Sequence, residues 1–327
     1  MAADTSRAFW LAAPGEGEIR TQPLDTPSPD DVVVRALYSG VSRGTEALVF
    51  QGRVPPSEFQ RMRAPFQAGS FPAPIKYGYA SVGLIERGPR ELQDRTVFVL
   101  YPHQTRYVVP AQSVHVLPDD VPPGRAVLTA NLETAINGLW DAQPHIGDRI
   151  VVVGAGTIGC LVAWLAGRIP GCDVELVDIN PRREAIAHVF GVRFAPPDTV
   201  WEGADVVIHA SGSPAGLELA LRVAGFEATV IEMSWYGDQS VPLPLGEAFH
   251  ARRLTLKSSQ VGTVAATQRA RWDARRRMQL ALTMLTDDRL DVLITGESRF
   301  EELPATMAQL ATDASDTLCH RIRYDQP

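Results

Sequence analysis

The stretch RIVVVGAGTIG, Arg149 to Gly159, decides the fold. Ile150 to Val153 form an unbroken apolar run of β-formers, the pattern of a strand buried on both faces inside a parallel sheet. Three glycines follow at the spacing GxGxxG. Gly154 permits the tight turn out of the strand, Gly156 lets a ligand approach the backbone, and Gly159 lets the next helix pack closely on the strand. The first turn of that helix, with Thr157 and Ile158, offers free N–H groups and the positive end of its dipole to a pyrophosphate. The spacing alone is weak evidence, but here it has the strand before it, the helix after it and an acid beyond.

That acid is Asp178, 24 residues after Gly154 at the end of DVELVD (173–178). Its carboxylate can accept both hydroxyls of an adenosine ribose, whereas a 2′-phosphate would meet like charge. NAD is therefore the expected cofactor. Arg182 and Arg183 keep NADP open, because either can swing over a phosphate or the adenine.

Outward from this motif, strands alternate with helices. RAVLTANLETAINGLWDA (125–142) reads as helix, and a helix at 157–168 follows the glycines. Another helix opens on Pro181. Strands are expected at ADVVIHA (204–210), EATVIEM (227–233) and RLTLKSS (253–259), with helix PAGLELALRVA (214–224) between the first two. The alternation predicts an α/β domain with a doubly wound parallel sheet covered on both faces. A long helix near 267–286 and a short strand DVLIT (291–295) come next. The first 120 or so residues instead read as short strands broken by turns, such as DVVVRALYSG (31–40), RTVFVLYPH (95–103) and RYVVPAQSVHVLP (106–118). Val54 to Pro74 has little periodicity and reads as a long excursion. LCHRIRYD (318–325) reads as a strand returning to the N-terminal domain.

The composition narrows the function. Of 327 residues, 45% are hydrophobic and the formal net charge is -7, so nucleic acid and anionic membranes are not expected partners. The run Arg275-Arg276-Arg277 reads as a solvated helix face rather than a binding patch. Cys160, Cys172 and Cys319 are widely spaced and odd in number, which suits a reducing compartment and no disulfide framework. With neither a secretory signal pattern nor an apolar stretch long enough to span a bilayer, a cytoplasmic location is the expectation.

Small polar groups at the carboxyl ends of later strands extend the cofactor site. Ser211 and Gly212 in HASGS (209–213) are expected to touch the dinucleotide where it crosses the sheet. His209 beside them reads as packed against the strand end.

The markers SGVSRGTEALVFQGRVP (39–55), YGYASVG (77–83), LETAINGLWDAQPHIGDRIVVVGAGTIG (132–159), VDINPRR (177–183) and VIHASGSPAGLE (207–218) run along nearly the whole chain. Through them the sequence resembles the medium-chain dehydrogenase/reductase superfamily. Its look is nearest the polyol dehydrogenase side, and nearest there to the bacteriochlorophyllide 2-hydroxyethyl dehydrogenases. The resemblance implies a β-rich GroES-like catalytic domain (1–122 and 296–327) and a Rossmann domain (123–295), with a small-molecule substrate in the interdomain cleft. It also implies the homodimer common in that family, for which a sheet edge near 291–295 is available. Ser234 and Trp235, together with Ser259, are placed at the nicotinamide end.

Zinc members of that family hold their metal with a cysteine, a histidine and a further acid or thiol. Here Ser42 stands where the cysteine is expected, Tyr79 and Ala80 stand where His-Glu is expected, and Glu133 matches the later glutamate. Hydroxyls are poor substitutes for thiolate and imidazole, so no metal is expected, although His103 and Glu46 leave an unusual site conceivable. Without zinc, a hydrogen-bond donor must polarise the substrate oxygen. Tyr79 is the first candidate and Ser42 the second, with Glu133 and His103 as proton-relay groups. Glu133 is alternatively a partner for Arg43. The leading expectation is zinc-independent hydride transfer between NAD(H) and an alcohol or ketone. An enoyl- or quinone-type double-bond reductase and an inactive NAD(H)-binding sensor or scaffold are the alternatives.

Overall fold

The computed structural model describes residues 4–312 and 316–325. The chain divides into two compact units, Met1–Ala130 with Leu282–Pro327 and Asn131–Ala281.

The first unit begins with β1 (Thr5–Ala13) and β2 (Glu16–Pro23), followed by β3 (Asp31–Ser42) and helix α1 (Arg43–Phe50). The excursion from Val54 to Pro74 contains one short 3-10 turn and the two-residue β4 (Ala68–Gly69). Phe59 and Phe71 pack there with ring centroids 5.7 Å apart. Next come β5 (Ile75–Lys76), β6 (Ser81–Arg87), β7 (Thr96–Val99), β8 (Arg106–Pro110) and β9 (His115–Val116). β3 is the spine of the unit and pairs antiparallel with both β6 and β8. Val32, Val34, Ile85, Val97, Val99, Tyr107 and Val109 fill one apolar core under these strands.

Helix α2 (Thr129–Ala142) leads into the second unit. Its strands are β10 (Arg149–Val153), β11 (Asp173–Val177), β12 (Arg193–Ala195), β13 (Ala204–His209), β14 (Ala224–Glu232) and β15 (Thr255–Ser258). Helices α3 (Thr157–Ala166), α4 (Glu184–Phe190) and α5 (Pro214–Val223) alternate with them. Among the described residues the sheet runs β12-β11-β10-β13-β14-β15, and every pairing is parallel. The chain therefore leaves β10 in one direction for β11 and β12, then returns to its other side for β13. This reversal between β10 and β13 is the topological switch point, where open α/β sheets hold their ligands. Ile150 to Val153 of β10 are buried, as their unbroken apolar run requires.

Two elements differ from their sequence expectation. The long helix near 267–286 is the shorter α6 (Ala274–Met284). Asp273 Oδ1 accepts the Arg276 N–H at 2.7 Å, capping the helix start and leaving the residues before it in turns. The strand expected at 291–295 is displaced to β16 (Ile294–Arg299), because Asp288–Leu293 form a 3-10 turn whose Arg289 N–H is held by the Asp287 carboxylate. After α7 (Leu303–Thr312) the chain closes with β17 (Cys319–Arg323), paired antiparallel with β3 and parallel with the edge strand β16. The expected return to the N-terminal strands is thus present. No described helix is long and apolar enough to cross a membrane.

Candidate active site

In the second unit, the glycines between β10 and α3 have separate physical duties. Gly154 has φ +103°, and a Cβ there would lie 2.6 Å from the Cα of Ser211 on the neighbouring turn. A Cβ on Gly159 would lie 1.8 Å from the Gly154 carbonyl oxygen. Both positions are closed to any side chain. Gly156 differs: it is extended (φ -71°, ψ 179°), and a Cβ there would meet nothing within 4 Å. Among the described residues no neighbour requires glycine at position 156; it leaves open room at the start of α3, beside the N–H groups of Thr157 and Ile158.

Asp178 joins the motif directly. Its Oδ2 accepts the Ala155 N–H at 2.7 Å and its Oδ1 accepts the Asn180 N–H at 2.8 Å. Each oxygen keeps acceptor capacity for a further donor. Arg183 is buried close enough for its charge to act on Cys160, whose thiol burial nonetheless pushes up to about 12. Glycine cradle, helix start and half-buried carboxylate together fit the diphosphate and ribose of a dinucleotide.

Across the switch point, His209 is fully buried at the end of β13. Its Nδ1 lies 2.8 Å from Glu232 Oε2 and its Nε2 lies 2.6 Å from Ser211 Oγ. Ser234 donates its N–H to Glu232 Oε1 at 2.6 Å, and the Tyr236 hydroxyl donates to Glu232 Oε2 at 3.0 Å. Burial pushes the Glu232 carboxyl up, but the bonds from His209 and Ser234 outweigh it and hold the group below its usual range. Ser234 Oγ also accepts the Gly212 N–H at 3.0 Å, so Ser211, Gly212 and Ser234 meet in one polar cluster. Trp235 is half-buried in the same loop. Glu232 gave no signal in the sequence, because a single acid ending the apolar run ATVIE carries no spacing pattern.

Ser259 belongs to another network. Its hydroxyl donates to Asp141 Oδ2 at 2.7 Å, and Asn137 Nδ2 donates to the same oxygen at 3.3 Å. Arg277 crosses from α6, donating to Asn137 Oδ1 and, at 3.0 Å, to Glu133 Oε1. One sequence reading is corrected here. Arg277 is 2% exposed rather than part of a solvated face, because successive helical residues turn by about 100° and only Arg275 and Arg276 face outward. Within the second unit Glu133 pairs with Arg277. Burial pushes the Glu133 carboxyl up and the Arg277 guanidinium only partly offsets this.

Removing one member of such a pair leaves an uncompensated buried charge. Arg277→Met is expected to lose about 3–5 kcal/mol of stability. Denaturant melts of Arg277→Met beside Glu133→Gln/Arg277→Met check this, and the double variant should recover much of the loss.

In the first unit, Ser42 ends β3, and the Ser42 and Thr45 side chains lie near enough to the Tyr79 phenol to favour its ionised form slightly, against the larger effect of burial. Burial, with the Glu46 charge second, holds this phenol well above its ordinary range, so it stays protonated and able to donate. Beneath it runs a buried chain. Glu46 Oε1 accepts the Ser42 N–H at 2.8 Å, and Glu46 Oε2 lies 2.8 Å from His103 Nε2. His103 Nδ1 lies 2.7 Å from Ser39 Oγ, which lies 2.9 Å from the Tyr324 hydroxyl. Ser39 and Tyr324 carried no signal in the sequence, because only the β3–β17 pairing brings them together. Tyr79, Ser42 and His103 thus gather in one unit, while Glu133 lies in the other with Arg277.

This donor set does not suit a zinc ion. Ser42 and Tyr79 offer hydroxyls, and the Glu133 carboxylate is engaged by a guanidinium. Among the described residues no three His, Cys, Asp or Glu side chains lie close enough together to hold a metal.

Comparison with known proteins agrees with this architecture. No family model matches the chain. An L-threonine 3-dehydrogenase of Rhizobium rhizogenes is 30% identical over 117 residues, 36% of this chain and 33% of that protein. An uncharacterised zinc-type alcohol dehydrogenase-like protein of Haemophilus influenzae is 26% identical over 216 residues, 62% of this chain and 59% of its own length. The matches thus span between a third and three-fifths of these two relatives. Among solved structures, an Escherichia coli CFT073 alcohol dehydrogenase complexed with NADH superposes with TM-score 0.76 at 16% identity, covering 98% of this chain and 99% of that one. The superposition shows the fold. The sequence matches add that parts of the chain are similar to an L-threonine 3-dehydrogenase and to a zinc-type alcohol dehydrogenase-like protein.

Proposed function

We propose that this protein is a nicotinamide-dinucleotide-dependent oxidoreductase that moves a hydride between NAD(H) and an alcohol or ketone without a catalytic metal. One observation carries the reading: at the switch point of an all-parallel sheet, two glycines are closed by backbone contact while the third, Gly156, opens onto free space at a helix start. A phosphate-bearing ligand gives that combination a purpose. The solved relative with NADH supports the same cofactor class.

When bound, the nicotinamide supplies or accepts the hydride. The chain's own task is to hold the substrate oxygen and manage its proton. Tyr79 donates to the oxygen as it gains negative charge, and Ser42 offers a second hydroxyl. The Glu46–His103–Ser39 chain holds the strand end that carries Ser42 and gives a route for proton exchange behind the phenol. Glu133 is held by Arg277 on the dinucleotide-binding unit and takes up or gives a proton there only when that ion pair opens.

Cofactor choice is assigned to Asp178. Asp178→Asn keeps an oxygen for the Ala155 N–H and removes the charge that opposes a 2′-phosphate. The ratio of NADPH to NADH dissociation constants should fall by about tenfold or more, roughly 1.4 kcal/mol. Fluorescence titration of both reduced cofactors into both proteins checks this, and an unchanged ratio removes Asp178 from cofactor selection.

A further inference from the structure

The His209–Glu232 pair is more than a dinucleotide-binding turn requires. Backbone contacts from Ser211 and Gly212 need no imidazole behind them and no carboxylate behind the imidazole. The structure nevertheless chains a hydroxyl, an imidazole and a carboxylate in sequence. Ser211 is exposed on the turn between β13 and α5. Its partner His209 Nε2 is 2.6 Å away, while His209 Nδ1 faces Glu232 at 2.8 Å. Both Glu232 oxygens are fixed by other donors, Ser234 N–H and Tyr236 hydroxyl, so the acid cannot turn away from the ring.

Proton positions follow from the same contacts. Glu232, as a carboxylate, accepts the Nδ1–H, which leaves Nε2 as an acceptor. The Ser213 N–H donates to Ser211 Oγ at 3.2 Å, and the Ser211 hydroxyl proton is thereby directed to His209. This is the connectivity of nucleophile, base and orienting acid, presented on a strand-to-helix turn at the carboxyl end of a parallel sheet.

We propose that Ser211, His209 and Glu232 form a nucleophilic triad that takes an acyl group from a small ester in the dinucleotide-free protein. Ser211 Oγ attacks the ester carbonyl as its proton passes to His209 Nε2. The bond to the ester's alcohol then breaks, and that alcohol leaves with the proton from His209. Water, deprotonated by His209, cleaves the acyl-serine, releases the acid and restores the Ser211 hydroxyl. Atoms and electrons balance with ester and water alone. The Gly212 N–H, which follows the nucleophile, serves the oxyanion in place of Ser234 Oγ. His209 is the base; Glu232 is a positioning residue that acts through it. This chemistry is independent of hydride transfer and uses the turn when no dinucleotide covers it.

The test treats the full chain, without added dinucleotide, with p-nitrophenyl acetate and separately with a fluorophosphonate, followed by intact-mass and peptide mapping. One acyl or phosphonyl group per chain is expected, on Ser211, and none in Ser211→Ala, which removes the nucleophilic oxygen. His209→Asn should slow acylation about 100-fold or more. Glu232→Gln should move the pH–rate profile of acylation to lower pH, because the imidazolium loses its carboxylate; a purely structural role would not move it. Absence of modification, modification that survives Ser211→Ala, or an unmoved profile in Glu232→Gln overturns the proposal.

Discussion

Gly156→Val should retain the melting temperature of the parent and lose dinucleotide binding by about 100-fold or more, roughly 2.7 kcal/mol. The expectation follows from geometry. Position 156 is extended, a conformation valine adopts readily, and its Cβ would enter space that no atom of the described residues occupies within 4 Å. Nothing in the fold resists the substitution, whereas a pyrophosphate seated on the first turn of α3 would collide with both branched methyl groups. Gly159→Ala is the contrasting case, because its Cβ would lie 1.8 Å from a backbone oxygen that cannot move independently. That variant should lose stability and binding together. NADH titration alongside thermal melts separates the two, and a Gly156→Val protein that binds NADH as the parent does would place the cofactor elsewhere.

Tyr79→Phe should lower kcat/KM for the hydride reaction by about 100- to 1,000-fold, the range for loss of one donor to a developing oxyanion. The phenol is held protonated by burial and by Glu46, so in the parent it donates throughout the ordinary pH range and adds no alkaline limb below its raised pKa. Phenylalanine keeps the ring, including its edge-to-face contact with Tyr77 at 6.0 Å, and removes only the hydroxyl. The loss should therefore appear in kcat with KM little changed, as for an interaction made mainly in the transition state. Ser42→Ala should show a smaller loss in the same direction. Steady-state kinetics of the two variants distinguish this from a pocket-wall role for Tyr79, which would raise KM and spare kcat.

Much of the second unit was legible because parallel-sheet strands must be apolar throughout and their helices punctuate them. RIVVV, the glycine spacing and Asp178 each express a local requirement, and local requirements are written in neighbouring residues. The pairs formed at distance were not legible. His209 and Glu232 end adjacent strands, and their meeting depends on the parallel register that sets His209 opposite Glu232. Arg277 was hidden in a run of three arginines, of which helical geometry turns one inward. The division between the units falls within α2 and α6, continuous helices that offer no change of composition to mark it. In the first unit Ser42 and Tyr79 were singled out by the resemblance alone. Their approach to one another, with Thr45 beside them, required the strand end and the loop before β6 to be placed in space.

The most direct test of metal-free hydride transfer is NADH consumption at 340 nm with a panel of ketones and aldehydes. It compares protein dialysed against a strong chelator, the same protein supplied with zinc, and the Tyr79→Phe variant. The account predicts carbonyl-dependent oxidation of NADH that chelation does not remove, zinc does not raise, and Tyr79→Phe reduces by about 100-fold or more. Activity that vanishes on chelation and returns with zinc would contradict it and restore a metal to the reaction.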